Sequence, residues 1–213
     1  MNAGEQAGSN PHPAARAALV RRGLRLEYLT LGWTLLEAAV AVAAGILAGS
    51  IALVGFGLDS AVEMFSGAVL LWRLSSDGDE ANRERIETRA LRLVGISLLA
   101  IAAYIAIEAA RSLIARHAAE VSYVGMVLAA AALIVMPLLA RAKRRVAAQI
   151  ASRALAADSR QADICAWLSA ILLAGLVLNA WLGWWWSDPV AALLMVPLVA
   201  KEGLEALRGK CCC

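Results

Sequence analysis

The sequence predicts an all-α membrane protein with six transmembrane helices and both termini in the cytoplasm. Hydrophobic residues make up 61% of the 213-residue chain, and its mean hydropathy is +0.68, so it is far more apolar than a soluble domain. The apolar residues form runs of about twenty, the length that a helix needs to cross a bilayer. These runs are apolar on every face, so the alternation of barrel strands is absent.

The first three spans follow a polar segment. Residues 1–25 are polar and contain Pro11 and Pro13, so we expect a short disordered cytoplasmic tail there. The first apolar run begins too far from the start for a cleavable signal peptide, and we expect it to be retained. The run "AVAVAAGILAG" lies in span one, span two contains two acidic residues, and the charged loop "LSSDGDEANRERIETR" precedes span three.

The last three spans are separated by a basic stretch and an aromatic one. "ARAKRRVAAQIASRALAADSR" follows span four, "SAILLAGLVL" lies in span five, and "WLGWWWSD" precedes span six, as in an interfacial aromatic belt. We expect the membrane domain at 26–203 and a short cytoplasmic tail at 204–213. The six spans are predicted at about 26–48, 51–73, 91–113, 122–140, 162–183 and 187–203.

The distribution of basic residues orients these spans. With both termini inside, 18 of the 20 Lys and Arg residues fall on the cytoplasmic side, and only Arg111 and Arg116 lie outside. Cytoplasmic loops carry such an excess. Losing or adding one span would spoil the alternation between basic inner loops and less basic outer loops. The net charge of +3 therefore reflects topology, and no nucleic-acid partner is predicted.

Span two contains two carboxylates, Asp59 and Glu63, deep in an otherwise apolar run. An acidic residue at the centre of a membrane helix costs about 2.5 to 3.5 kcal/mol on insertion scales, so it usually faces a cavity or a partner. A spacing of four residues places both carboxyls on one helix face, one turn apart. No basic residue lies within one turn, so the pair points to a cation site.

Span five offers a second pair with the same spacing, Ser159 and Asp163. Two helices that each present oxygen ligands one turn apart can form a four-cornered cage for a divalent cation. An ion pair with Arg160 is the alternative role for Asp163. A shared site requires helix five to begin well before residue 160, and we predict a start near Val146, because the following residues lack Gly and Pro.

Two further acidic residues have different interpretations. Glu37 lies deep in span one, where it would act as a proton carrier or an additional ligand. Glu108 lies near the outer end of span three with Arg111 three residues later, a spacing that predicts a surface ion pair.

Three stretches of the chain resemble the cation diffusion facilitators, a family that exports divalent metals in exchange for protons. "GSIALVGFGLDSAVEMFSGAVLLWRL" is similar to the second span of the family, and "AADSRQADICAWLSAILLAGL" is similar to the fifth. "SDPVAALLMVPLVAKEGLEALRG" is similar to the sixth, with its Asp-Pro start and Lys-Glu-Gly end. The resemblance extends over most of residues 26–208.

The resemblance implies a transport site made of Asp59, Glu63, Asp163 and Ser159. Ser159 stands where the family commonly has His or Asp, and Glu63 replaces the usual Asp. The substrate implied is a divalent metal ion, Zn²⁺ first, but the loss of an imidazole makes the site closer to one for Mn²⁺ or Fe²⁺. Further residues considered as donors or metal-capturing groups are Glu37, Asp158, Gln161, Cys211, Cys212 and Cys213.

The implied function is proton-coupled metal efflux by alternating access, and not enzymatic catalysis. The resemblance further implies a homodimer in the plasma (inner) membrane, although the family's cytoplasmic C-terminal domain has no counterpart in the sequence. The alternative is a non-transporting membrane partner or regulatory subunit with a degenerate metal site. An exporter of small organic cations is a third interpretation of the buried carboxylates.

Overall fold

A computed structural model of the chain describes residues 13–75, 80–150 and 153–208. Within these ranges the helices are joined by short turns and no strand occurs, which confirms the predicted all-α class. The placement of the termini in the cytoplasm stays a prediction. The helices are α1 (Pro13–Ala48), α2 (Ile51–Ser75), α3 (Glu80–Ala115), α4 (Tyr123–Ile150), α5 (Arg153–Leu182) and α6 (Ser187–Leu207).

The helices extend beyond the predicted apolar spans. α1 begins at Pro13, so from that residue on the structure differs from the disordered tail expected over 1–25. α3 begins at Glu80, inside the charged stretch that we interpreted as a loop. These polar segments are rich in helix-forming residues, and neighbouring helical turns extend into them.

The predicted start of helix five near Val146 is wrong. Residues up to Ile150 belong to α4, and α5 begins at Arg153. Helix propensity correctly indicated helical structure here, but it does not specify which of two helices a segment continues. α5 is nevertheless continuous from Arg153 to Leu182, so no break separates its polar residues.

Five helices of the described part are long and apolar enough to cross a membrane, by length and composition. The sixth predicted span coincides with α6, which carries Asp188, Lys201, Glu202 and Glu205. Large apolar side chains such as Leu47 and Ile114 are exposed on the outside of the bundle, as a surface in contact with lipid requires. The apolar spans are Ala18–Ala48, Ile51–Ala68, Leu91–Ala115, Tyr123–Ile150 and Asp158–Leu182.

The helices pack most extensively in three pairs, α4 with α5, α3 with α6, and α1 with α2. Phe56, Leu168 and Met195 are fully buried between them. α3 and α6 approach closely because two glycines face each other: a Cβ added at Gly95 would lie 2.8 Å from the carbonyl oxygen of Gly203. Small residues at such contacts let membrane helices pack backbone to backbone.

Asp188 joins the start of α6 to the start of α2. The Ser50 hydroxyl donates a hydrogen bond to Asp188 Oδ1 (2.5 Å), and the Ile51 amide donates one to Oδ2 (2.9 Å). The carboxylate therefore satisfies donors at the N-terminus of α2, where a negative charge is also favourable. Its burial has a structural explanation.

Candidate metal site

A cavity of about 580 Å³ lies between α2, α3, α5 and α6. Its apolar wall includes Val94 and Leu98 of α3. Two basic residues, Arg160 and Lys201, also line it. The acidic and amide side chains that line it are Asp59, Glu63, Asp158, Gln161, Glu202 and Glu205.

The structure places both acidic residues of α2 on the wall of this cavity. Asp59 is 2% exposed and Glu63 is 9% exposed. Their spacing of four residues aligns them along one helix face. Asp59 Oδ1 and Glu63 Oε2 have no hydrogen-bond partner within the described part of the chain. Each therefore has a free acceptor beside the cavity.

α6 contributes a third buried carboxylate, Glu202, which our sequence analysis missed. Gln161 Nε2 of α5 donates a hydrogen bond to Glu202 Oε2 (3.1 Å). The other oxygen, Oε1, is buried and lacks a partner among the described residues. Glu202 lies inside the predicted span 187–203, so the signal that identified Asp59 and Glu63 was also available for it.

Asp163 and Ser159 of α5 do not line the cavity. Asp163 forms an ion pair with Arg144 of α4, on a partly exposed surface, and not with Arg160. Ser159 is fully buried, and its hydroxyl donates to the carbonyl oxygen of Ala156 at 2.7 Å. Neither residue therefore lies on the cavity wall with Asp59 and Glu63.

Asp158, and not the predicted Asp163, is the acidic residue of α5 that lines the cavity. The two residues are five positions apart, which is about 140° around a helix, so they face different surroundings. The Asp158 carboxylate lines the cavity and also accepts a hydrogen bond from Lys143 of α4. Of the additional donors suggested by the sequence, Asp158 and Gln161 therefore lie with Asp59 and Glu63.

Lys143 is fully buried between two carboxylates. Its Nζ lies 2.9 Å from Glu27 Oε2 of α1 and forms an ion pair with Asp158 of α5. We call these three residues the ion triad. The basic stretch that holds Lys143 was predicted to be a cytoplasmic loop, and Glu27, which lies within the first predicted span, was not predicted to have a role.

Glu37 lies behind the cavity wall, where it is fully buried. Its Oε2 accepts a hydrogen bond from the Ser60 hydroxyl (3.3 Å) and lies 3.9 Å from Cys165 Sγ. Its Oε1 has no hydrogen-bond partner in the described ranges. Because Ser60 follows Asp59 directly, Glu37 is adjacent to the acidic residues of α2 without lining the cavity.

The surroundings of Glu63 are strongly acidic. Asp59, Asp158 and Glu202 line the same cavity as Glu63, and Glu37 lies behind its wall, hydrogen-bonded to Ser60. Such carboxylates repel one another unless a cation or protons neutralise them. In the described part of the chain, no three His, Cys, Asp or Glu side chains converge closely enough to hold a metal ion. The acidic side chains are instead distributed around the cavity wall.

The other sequence predictions have mixed outcomes. The surface ion pair between Arg111 and Glu108 is confirmed, with Arg111 Nη1 lying 2.7 Å from Glu108 Oε1. The cysteines at 211–213, suggested for metal capture, lie outside the described residues, so that suggestion stays a prediction.

Comparison with known proteins adds a family and one relative. Residues 29–210 match the family described as the cation efflux transmembrane domain. The chain is also 28% identical, over 186 residues, to an uncharacterized transporter from Synechocystis sp.. That alignment covers 84% of this chain and 60% of the relative, so the chain spans about three fifths of the relative's length.

The match includes most of the first span and all of the other five, and with the five long apolar helices it identifies a multi-pass integral membrane protein. The predicted resemblance to cation diffusion facilitators is confirmed, and so is the prediction that the chain is not an enzyme, since this is a family of transporters. The chain belongs to the cation efflux family, through the transmembrane domain of that family.

Proposed function

We propose that this protein transports divalent metal cations by alternating access, with the ion bound by carboxylates at the cavity. The observation that carries the proposal is the set of three buried oxygens without partners, on Asp59, Glu63 and Glu202, all beside one cavity. A buried charge without a partner is costly. A cation that enters the cavity would offer these oxygens the partner that the protein does not supply.

The proposed ligands come from three helices. Asp59 and Glu63 of α2 form one side, Asp158 and the Gln161 carbonyl of α5 a second, and Glu202 of α6 a third. This set departs from the one that the resemblance implied, because Asp158 and Glu202 replace Asp163 and Ser159. The geometry favours the new set, since Asp163 is paired with Arg144 away from the cavity.

The donor chemistry bears on the metal. Every proposed donor is an oxygen, and oxygen donors suit Mn²⁺ and similar hard ions, whereas imidazole and thiolate ligands suit zinc. We therefore propose Mn²⁺ or Fe²⁺ as the preferred substrate, ahead of the Zn²⁺ that the family resemblance implied. Carboxylates also bind protons, so protons that replace the departing ion would neutralise the empty site and couple transport to a pH gradient.

The cavity lies toward the ends of the helices that we assign to the cytoplasm. Lys201 and Glu205 line it and are partly exposed, and both are near the C-terminal end of α6. With the predicted orientation, this is an inward-facing arrangement that receives the ion from the cytoplasm. Efflux across the plasma membrane and a homodimeric assembly complete the proposal.

Flux into proteoliposomes tests this function. The purified chain is reconstituted, and uptake of Mn²⁺, Fe²⁺, Co²⁺ and Zn²⁺ is measured with and without a pH gradient. We expect Mn²⁺ or Fe²⁺ to move fastest, and Asp59→Asn to reduce the flux by about 100-fold or more, since even outer-shell changes at metal sites cost about 10- to 100-fold.

Glu108→Gln is the matched control, because it neutralises an acidic residue of the same bundle that is paired with Arg111 on the surface. Its flux should equal that of the wild type. If the wild type moves none of the four metals, the transporter proposal is wrong and the membrane-partner alternative gains support. If Asp59→Asn transports as well as Glu108→Gln, the site is wrong.

A further inference from the structure

The ion triad contains more negative than positive charge. Lys143, Glu27 and Asp158 contribute one ammonium and two carboxylates, from α4, α1 and α5. Val146, Ala147 and Leu155 form a small apolar cluster on the same helices. The ammonium therefore has two carboxylates competing for it in a poorly solvated place.

The triad and Glu37 lie at two levels of the bundle. Glu27 and Glu37 are ten residues apart on α1, about 15 Å along the helix. On α5, Asp158 lies at the level of Glu27 and Cys165 at the level of Glu37. These two α5 residues are seven positions apart, about 10 Å along the helix. Because α1 and α5 run from the predicted cytoplasmic side outward, the triad is nearer to the cytoplasm than the level of Glu37.

The triad also borders the cavity. Asp158 is one of the lining residues, and so is Gly67 of α2. A Cβ added at Gly67 would lie 3.2 Å from Glu27 Oε1. Asp158 thus has two possible cationic partners: Lys143, which it contacts in this structure, and any metal ion that reaches the cavity.

We propose that Lys143 is a tethered counter-ion that competes with the substrate metal for Asp158. This inference rests on the proposed function. In the absence of metal the ammonium pairs with both carboxylates of the triad. When a metal ion binds, Asp158 turns to it, and Glu27 retains the ammonium so that no charge is left alone.

The competition has a use in transport. A site of several carboxylates would hold a divalent ion too tightly to release it, since each close opposite charge in a protein contributes strongly. A lysine on a flexible stem can recover Asp158 as soon as the metal begins to leave. Lys143 is therefore a positioning residue that weakens metal binding and speeds release, without contacting the metal.

The decisive variant is the double substitution Glu27→Gln with Lys143→Met. It removes one negative and one positive charge, so the net charge of the protein is unchanged and no charge at those two positions is left unpaired. Mn²⁺ binding is measured by isothermal titration of the purified full chain in detergent. We expect the double variant to bind Mn²⁺ about tenfold more tightly than the wild type, because Asp158 has lost its competitor.

A second variant tests the opposite direction. Glu27→Gln alone leaves the ammonium to Asp158, so we expect Mn²⁺ binding about tenfold weaker than in the wild type. In proteoliposomes, the double variant should show a lower half-saturation concentration together with a lower maximal flux, because release becomes slower. If Lys143 had a purely structural role, the half-saturation concentration and the maximal flux would not fall together in this way.

Arg145→Met is the control for long-range charge, because Arg145 lies two residues from Lys143 on α4 but is exposed and does not line the cavity. Its Mn²⁺ affinity should stay within about twofold of wild type, as for other solvated charges. The inference is overturned if the double variant binds no more tightly than wild type, or if Arg145→Met tightens binding equally. If the wild type binds and transports Mn²⁺ in that case, this inference alone fails; if neither wild type nor double variant binds any metal, the proposed function fails with it.

Discussion

Asp59 of α2 and Glu27 of α1 are buried to the same extent, each 2% exposed, yet their surroundings differ. Glu27 has the ammonium of Lys143 at 2.9 Å, whereas no ion pair to Asp59 occurs within the described residues. Glu63 Oε2 and Glu202 Oε1, in residues that line the same cavity, have no hydrogen-bond partner among the described residues, as is the case for Asp59 Oδ1. Burial alone therefore does not distinguish these acids; they differ in whether a cationic side chain of the protein lies beside them.

Removal of Lys143 should have the largest effect on the folded state. Lys143→Met leaves Glu27 without a counter-ion in a buried place, and breaking a buried ion pair in this way costs about 3 to 5 kcal/mol. The free energy of unfolding, measured by denaturant titration in detergent micelles, should fall by that amount.

The double variant with Glu27→Gln serves as the control for this loss. It neutralises Glu27 and leaves only Asp158, which also lines the cavity, without its counter-ion, so part of the lost stability should return. A single variant that is as stable as the double one would show that the ammonium does not stabilise Glu27, and the contrast with Asp59 would disappear.

Asp188 tests whether hydrogen bonds alone can account for a buried acid. Asp188→Ala leaves the Ser50 hydroxyl and the Ile51 amide without their acceptor, which should cost about 2 kcal/mol. The half-saturation concentration for metal flux should not change, because Asp188 does not line the cavity. A stable Asp188→Ala protein with altered metal affinity would instead place Asp188 among the functional acids.

The two acidic residues of α5 give a sharper contrast, because they share one helix. Asp158→Asn should weaken metal binding about tenfold, equivalent to about 1.4 kcal/mol, because it removes a proposed ligand from the cavity. Asp163→Asn should change it less than about twofold, since its ion pair with Arg144 is partly exposed and such pairs contribute little. Titration of both variants with Mn²⁺ measures the two affinities. If Asp163→Asn weakened binding more than Asp158→Asn, the site that the family resemblance implied would be supported instead.

These contrasts also show what the sequence could predict. Hydropathy and the 3.6-residue period were sufficient for an all-helical membrane bundle and for placing Asp59 and Glu63 on one face. The period could not say whether Asp158 or Asp163 of α5 faces the cavity, because that depends on how α5 rotates against its neighbours. Only the packing of α4 against α5, which brings Arg144 to Asp163, settles that rotation.

The ion triad escaped the sequence analysis for a different reason. Lys143 lies in a basic stretch, where the excess of positive charge was used to orient the chain. Its burial arises because α4 continues to Ile150 and packs beside α1 and α5. A residue that is assigned to a loop cannot be recognised as a partner for an acid inside the bundle, so an error in helix length hid a contact between three helices.

The smallest expected effect concerns the stability of Asp59→Asn, and it is the most direct test of the difference between Asp59 and Glu27. Asparagine has nearly the same shape, and it removes a buried charge whose Oδ1 has no hydrogen-bond partner among the described residues. We therefore expect the free energy of unfolding not to fall, because the variant no longer buries an uncompensated charge, although metal flux is lost. Residues kept for function often contribute nothing to stability in this way. Denaturant titration without added metal is the measurement. A loss of 2 kcal/mol or more would mean that Asp59, like Glu27, has a stabilising partner inside the protein.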